Sequence, residues 1–251
     1  MIQLFIRKAL LLALLCLLSV FVSAKPNNIP TVDRGVLDLR QWNFSGHKIA
    51  LAGNWNFYKN ELLTVPANGA NTFAYFPEVL SKTGYAGVQF GTYSVTVLLP
   101  EQTGRLAFEI PQLYSSYKLY VNGKLVAENG KPGTSRETTV PQWLPQVSAL
   151  ESAGDTLQIV LQIANFYHYH TGSKQPIYLG TASMLKGHQQ VAVNSNIAEC
   201  IILFVLALAF LIIYYVRQEK KKITLYFSLL CISWAIRSVF SNIYLFTGFF
   251  P

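Results

Sequence analysis

Residues 164–173 read ANFYHYHTGS and follow directly on DTLQIVLQI, which has the pattern of a half-buried strand. Past Ile163 the apolar alternation stops, and two histidines, three aromatics and an asparagine fill positions 165–170. Such groups contribute little to a core. Aromatic faces stack on sugar rings, and His, Asn and Arg supply the few directional hydrogen bonds that fix a polar ligand. In a regular strand Asn165, Tyr167 and Tyr169 continue the inward face of Leu161 and Ile163. Phe166, His168 and His170 continue the outward face of Gln158 and Gln162. The strand then leaves the core at its end and lines a rim.

Other uses of the same residues stay open. His168 and His170 share a face as a metal pair would, but no third ligand lies nearby in the sequence, and no metal or other cofactor is expected. The rings can brace the strand end against its loop, and Asn165 can tie down main-chain groups where the ladder stops. Loops reaching the same end of a sandwich add Tyr114 in PQLYSSYK, Arg136 in KPGTSRETT and Trp143 in VPQWLP. Tyr114, Arg136, Trp143, Asn165, Tyr167, His168 and His170 are the candidate ligand-binding residues. Tyr117, Trp55 and Phe57 read as core.

These candidates need a scaffold. YSVTVLL puts Tyr93, Val95, Val97 and Leu99 on one face, and RLAFEI puts Leu106, Phe108 and Ile110 there. YKLYV presents Tyr117, Leu119 and Val121, and Asn122-Gly123 is a two-residue hairpin turn into KLVAE. In DTLQIVLQI the residues Leu157, Ile159, Leu161 and Ile163 point inward, with Gln158 and Gln162 outward. Short alternating runs punctuated by Gly and Pro predict an all-β fold, a jelly-roll or galactose-binding-like β-sandwich.

The chain has 251 residues, 51% of them hydrophobic and 13% charged, with a formal charge of +8. Residues 25–192 hold 13 Lys/Arg against 10 Asp/Glu, a net of +3, so the basic excess lies mostly elsewhere. No basic stripe on a folded surface argues for nucleic acid. Arg7 and Lys8, the apolar run ALLLALLCLLSVFV and the small residues Val22-Ser23-Ala24 read as a signal peptide over 1–24. Residues 193–216 and 223–250 read as transmembrane helices joined by the basic loop 217–222. The positive loop belongs in the cytoplasm, which places the 25–192 domain in the periplasm of a bacterial inner-membrane protein. Cys200 and Cys231 lie in the apolar segments, so the exported domain forms no disulfide. Arg237 is either an interface anchor or a buried partner for another helix, with Glu199 available to it.

The order of motifs resembles a known family. Leu51-x-Gly53-x-Trp55-x-Phe57 is followed by GTYSVTVLLP, LAFEIPQLYSSYKLYVNGKLVAENGKPG, LQIVLQIANFYHYHTG and IYLG. That order resembles the extracellular jelly-roll domain of bacterial seven-transmembrane receptors with diverse intracellular signalling modules. YVNGKLV also resembles the sugar-binding jelly rolls attached to glycoside hydrolases. The resemblance covers roughly 30–185 and implies a carbohydrate-like ligand, with Asn165, Phe166, His168 and Gly172 carrying the match at the rim. Family members often have Gly-Gly where this chain has Gly172-Ser173. That family continues into seven helices and a cytoplasmic output module, so the expectation here is a receptor truncated after two transmembrane helices.

The functional expectation is a membrane-tethered periplasmic sensory or binding module for a small polar or carbohydrate-like ligand, with the membrane and other receptor chains as further partners. The alternative is a protein-interaction domain whose exposed aromatics dock a periplasmic or membrane partner. An enzyme is not expected. Glycoside hydrolysis needs two positioned carboxyl groups, and no acidic residue lies in the aromatic segment. No Ser-centred elbow, phosphate loop or zinc motif is present either.

Overall fold

The computed structural model describes residues 29–67, 72–80, 87–142, 144–151, 154–216 and 222–239. The expected signal peptide, Trp143, most of the 217–222 loop and the end of the second expected span lie outside them.

Among the described residues eleven strands precede two helices. In chain order they are β1 (Val36–Asp38), β2 (Ile49–Ala50), β3 (Gly53–Lys59), β4 (Thr72–Phe76), β5 (Phe90–Leu98) and β6 (Leu106–Ile110). Then come β7 (Ser116–Val121), β8 (Lys124–Asn129), β9 (Gln146–Ala149), β10 (Thr156–Ala164) and β11 (Tyr178–Thr181). The helices are α1 (Ala182–Val216) and α2 (Lys222–Val239). One sheet runs β4-β3-β5-β10-β7-β8, with β1 parallel to the far end of β5, and the other runs β2-β11-β6-β9. This is a β-sandwich followed by two apolar helices.

The alternating runs make the core. Leu157, Ile159, Leu161 and Ile163 of β10 face Tyr93, Val95 and Val97 of β5 in register, and none of the seven is more than 2% exposed. The sandwich is closed by an aromatic cluster in which the Tyr93 ring lies 4.7 Å from Phe57, 5.5 Å from Phe76 and 6.3 Å from Trp55. Tilted and edge-on pairs of this kind add to the area that they bury. The Trp55 indole donates to the Leu51 carbonyl at 3.2 Å, so the Leu-x-Gly-x-Trp spacing satisfies the polar edge of a fully buried ring. Asn122 and Gly123, with φ of 49° and 78°, form the expected two-residue turn. Beyond it a bulge at Leu119/Tyr120 shifts the β7–β8 register.

Gln162 departs from the expected outward exposure and is only 6% exposed. The segment after β3 folds over that face of the sheet. Gln162 Nε2 donates to the Leu63 carbonyl at 3.0 Å, while Thr92 Oγ1 donates to the Glu61 carbonyl and accepts from the Leu63 amide.

The first helix begins before the apolar span. The Ala182 amide donates to the Arg105 carbonyl at 2.8 Å, and Leu185 is fully buried beside Ala107, Val147, Ala149 and Met184. Thus α1 is docked on the outer face of the smaller sheet. At 1.5 Å per residue its 35 residues extend roughly 52 Å. Both helices are long and apolar enough to cross a membrane. They pack together through Phe210–Phe227, 4.5 Å between centroids, and through Ser228 Oγ, which donates to the Ala207 carbonyl at 2.8 Å. The Arg237 guanidinium lies 5.0 Å over the Trp234 ring of its own helix.

Candidate functional site

The ladder of β10 ends at Ala164, and the strand alternation expected for positions 165–170 ends with it. The cause is Asn165, which is 2% exposed and turns back on its own loop. Its Nδ2 donates to the carbonyls of His168, at 2.8 Å, and His170, while its Oδ1 accepts from the amides of His168, at 2.9 Å, and Tyr167, at 3.2 Å. One amide therefore supplies donors and acceptor to four main-chain groups that the sheet no longer pairs. Below it, Phe166 stacks on Phe90 at 6.1 Å.

The loop returns through Gly172, which touches two other segments. The Tyr114 amide donates to the Gly172 carbonyl at 3.0 Å, the Leu80 amide to Thr171, and the Ser173 amide to Glu78. Gly172 has φ of 109°, and a Cβ there would lie 2.2 Å from the Glu78 oxygen. Only glycine fits this crossing.

This pairing puts Tyr114 against the histidines. The Tyr114 and His168 rings stack at 5.1 Å with 19° between their planes, and His170 meets Tyr114 edge-on at 6.2 Å. The two imidazoles are 5.7 Å apart. The His170 amide donates to His168 Nδ1 at 3.2 Å. Lys174 Nζ lies 5.5 Å from the Tyr114 centroid. On the other side of the loop the Tyr167 hydroxyl donates to the Arg136 carbonyl at 2.8 Å, and the Arg136 guanidinium sits 5.0 Å over the Tyr167 ring.

The fold thus brings Tyr114, His168 and His170 into mutual contact and pairs Tyr167 with Arg136. Asn165 lies beneath them as the clamp of the loop. Trp143 lies outside the described residues, although the Gln142 amide donates to Ser115 beside Tyr114. Two members of the cluster escaped the sequence reading, Tyr169, which is 80% exposed, and Lys174. Tyr169 was assigned inward by alternation, and the contact of Lys174 depends on the Gly172–Tyr114 pairing, which no local pattern encodes. Among the described residues no three His, Cys, Asp or Glu side chains converge as a metal-ligand set.

The position of this rim follows from register. On β5, Phe90 lies beside Ala164 and Leu98 beside Thr156, after which the chain passes to Leu106, the partner of Thr181 at the start of α1. The rim and the first turn of α1 therefore lie at opposite ends of the sandwich.

No protein-family model and no curated protein matches the chain. Solved structures with similarity include a GH2 beta-galacturonidase from Eisenbergiella tayi bound to galacturonate, at 14% identity and a TM-score of 0.39 over 54% of this chain. An uncultured Clostridium sp. beta-glucuronidase (14%, TM-score 0.42) and a Faecalibacterium prausnitzii beta-glucuronidase (11%, TM-score 0.42) each cover 53% of this chain. The chain spans 24%, 28% and 31% of these three structures, respectively. A likeness at this level carries no argument about function, and the β-sandwich rests on its own strand pairing.

Proposed function

We propose that this chain is a membrane-tethered periplasmic binding module of a signalling receptor, and that the rim of Tyr114, Tyr167, His168, Tyr169 and His170 takes a small polar or carbohydrate-like ligand. The observation that carries this reading is the Tyr114–His168 stack, bordered by Lys174 and by the Arg136–Tyr167 pair. Flat rings with N–H and ammonium donors at their edges suit a ring-shaped ligand rich in oxygen acceptors. The module binds and does not turn its ligand over. Docking of α1 on the smaller sheet gives the bound state a route to the membrane, provided that the ligand prefers one of two arrangements of that contact.

The experiment is a thermal-shift screen of the full chain in detergent with neutral hexoses, uronic acids and cell-wall disaccharides, beside the Tyr114→Ala and His168→Ala/His170→Ala variants. A saccharide at about 100 times its Kd stabilises by about 2.7 kcal/mol. The reading predicts a shift for wild type that both variants diminish. A shift of undiminished size in both variants contradicts it.

One observation favours a protein partner instead: Tyr169 stands 80% exposed beyond the stack, where an interface anchor would stand. Photo-crosslinking from position 169 to one discrete protein, with no saccharide response, would select that reading.

A further inference from the structure

A second candidate site lies at the other end of the sandwich. The Leu39 amide donates to the Leu98 carbonyl, and the Trp42 amide closes a turn onto the Leu39 carbonyl at 2.8 Å. Because Leu39 is fully buried, its neighbours Asp38 and Arg40 both turn outward. Pro30, Asp38, Arg40, Gln41 and Trp42 line a groove of about 690 Å³, within the roughly 300–1,000 Å³ of small-molecule sites. Trp42 packs partly against the core and meets His47 edge-on at 6.5 Å.

The polar groups of this groove have a definite character. Arg40 Nε donates to Asp38 Oδ1 at 3.0 Å and Nη2 to Oδ2 at 2.6 Å, while the Arg40 amide also donates to Oδ1. The Arg40 guanidinium holds the Asp38 carboxyl at about 2, so Asp38 is ionised at ordinary pH. Asp38 is thus filled with donors and the charge of Arg40 is cancelled. The Nη1 group of Arg40 and the Gln41 amide remain as donors with no net charge behind them. The Trp42 Nε1–H adds to them: it is buried without a hydrogen-bond partner among the described residues, whereas the Trp55 indole has the Leu51 carbonyl.

We infer that the Asp38–Arg40–Trp42 groove is a second ligand site, for an uncharged sugar ring packed on the indole with its oxygens accepting from Arg40 and Gln41. A carboxylated sugar gains less here, because the Asp38 carboxylate beside Arg40 offsets its charge. The site is independent of the rim and would survive the failure of that reading.

The test is indole fluorescence of the full chain in nanodiscs, titrated with glucose, galactose and N-acetylglucosamine and, separately, with glucuronate. At least one neutral sugar gives a saturable change, which Trp42→Phe abolishes and Arg40→Gln weakens by about tenfold. The His168→Ala/His170→Ala variant leaves that response in place. Asp38→Asn releases the charge of Arg40 and shifts the preference toward glucuronate, which loss of packing alone would not do. No saturable response to any neutral sugar, a response that persists in Trp42→Phe, or tighter glucuronate binding by wild type overturns the assignment. Arg40 and Asp38 side chains are 66% and 51% exposed, so their variants keep the test valid if Trp42→Phe fails to fold.

Discussion

The side chain of Asn165 holds the main chain of His168 at both ends, donating to its carbonyl at 2.8 Å and accepting from its amide at 2.9 Å. The histidine segment is therefore a closed loop and not the frayed end of a strand.

Asn165→Ala should lower stability by roughly 1–3 kcal/mol, because it removes the partner of four part-buried main-chain groups. Asn165→Asp keeps the acceptor but loses the donors, so it should be nearly as damaging. Thermal melts of the full chain read both. An unchanged melting temperature for the Ala variant would mean that the clamp contributes nothing.

Gly172→Ala should cost at least about 3 kcal/mol, since a methyl group meets the Glu78 oxygen at 2.2 Å on a left-handed backbone. Denaturant unfolding measures it. Melting within error of wild type would contradict the crossing of the loop, the Tyr114 segment and the segment before Leu80.

Burial pushes the Tyr117 hydroxyl up to about 12 from its ordinary value near 10, partly offset by the hydrogen bond from Gln146. The folded state thus holds a proton that the unfolded chain gives up. Stability from this group is intact below about pH 10 and is lost as pH rises toward 12, by an amount on the order of 2 kcal/mol. Unfolding free energies measured from pH 8 to 11 should fall more steeply for wild type than for Tyr117→Phe, which has nothing to ionise. Equal slopes would contradict the shift.

Leu185→Ala should loosen the start of α1 by roughly 2–4 kcal/mol while leaving the sandwich core intact. Hydrogen exchange should rise at positions 182–190 and stay slow in β10. Acceleration spread over β10 as well would mean that the helix start is part of the core and not a separable dock.

Much of the sandwich was legible in the sequence because its central strands encode it locally. Tyr93 to Leu99 and Leu157 to Ile163 alternate strictly, and Asn122-Gly123 dictates its own turn. Where pairing is distant, the pattern fell short. Gln162 looks solvated until Leu63, 99 residues away, covers it. The strands β1 and β2, of three and two residues, are too short to carry a period. At the rim the residue types were legible, but the alternation assigned to them was not, because a single amide at Asn165 replaced strand geometry by loop geometry. The Trp42 groove likewise depends on a parallel pairing, β1 on β5, that has no local signature.

The central claim, that the Tyr114–His168–His170 rim binds a saccharide-like ligand, is tested most directly by imidazole resonances. The chain has four histidines, at 47, 168, 170 and 188. They report, in order, on the Trp42 groove, the rim twice, and the exposed helix beyond the sandwich. In ring-labelled full-length protein titrated with the saccharide that raises its melting temperature, the account predicts saturable shifts of His168 and His170 and a still His188. Saturation of binding with His168 and His170 unmoved would contradict it.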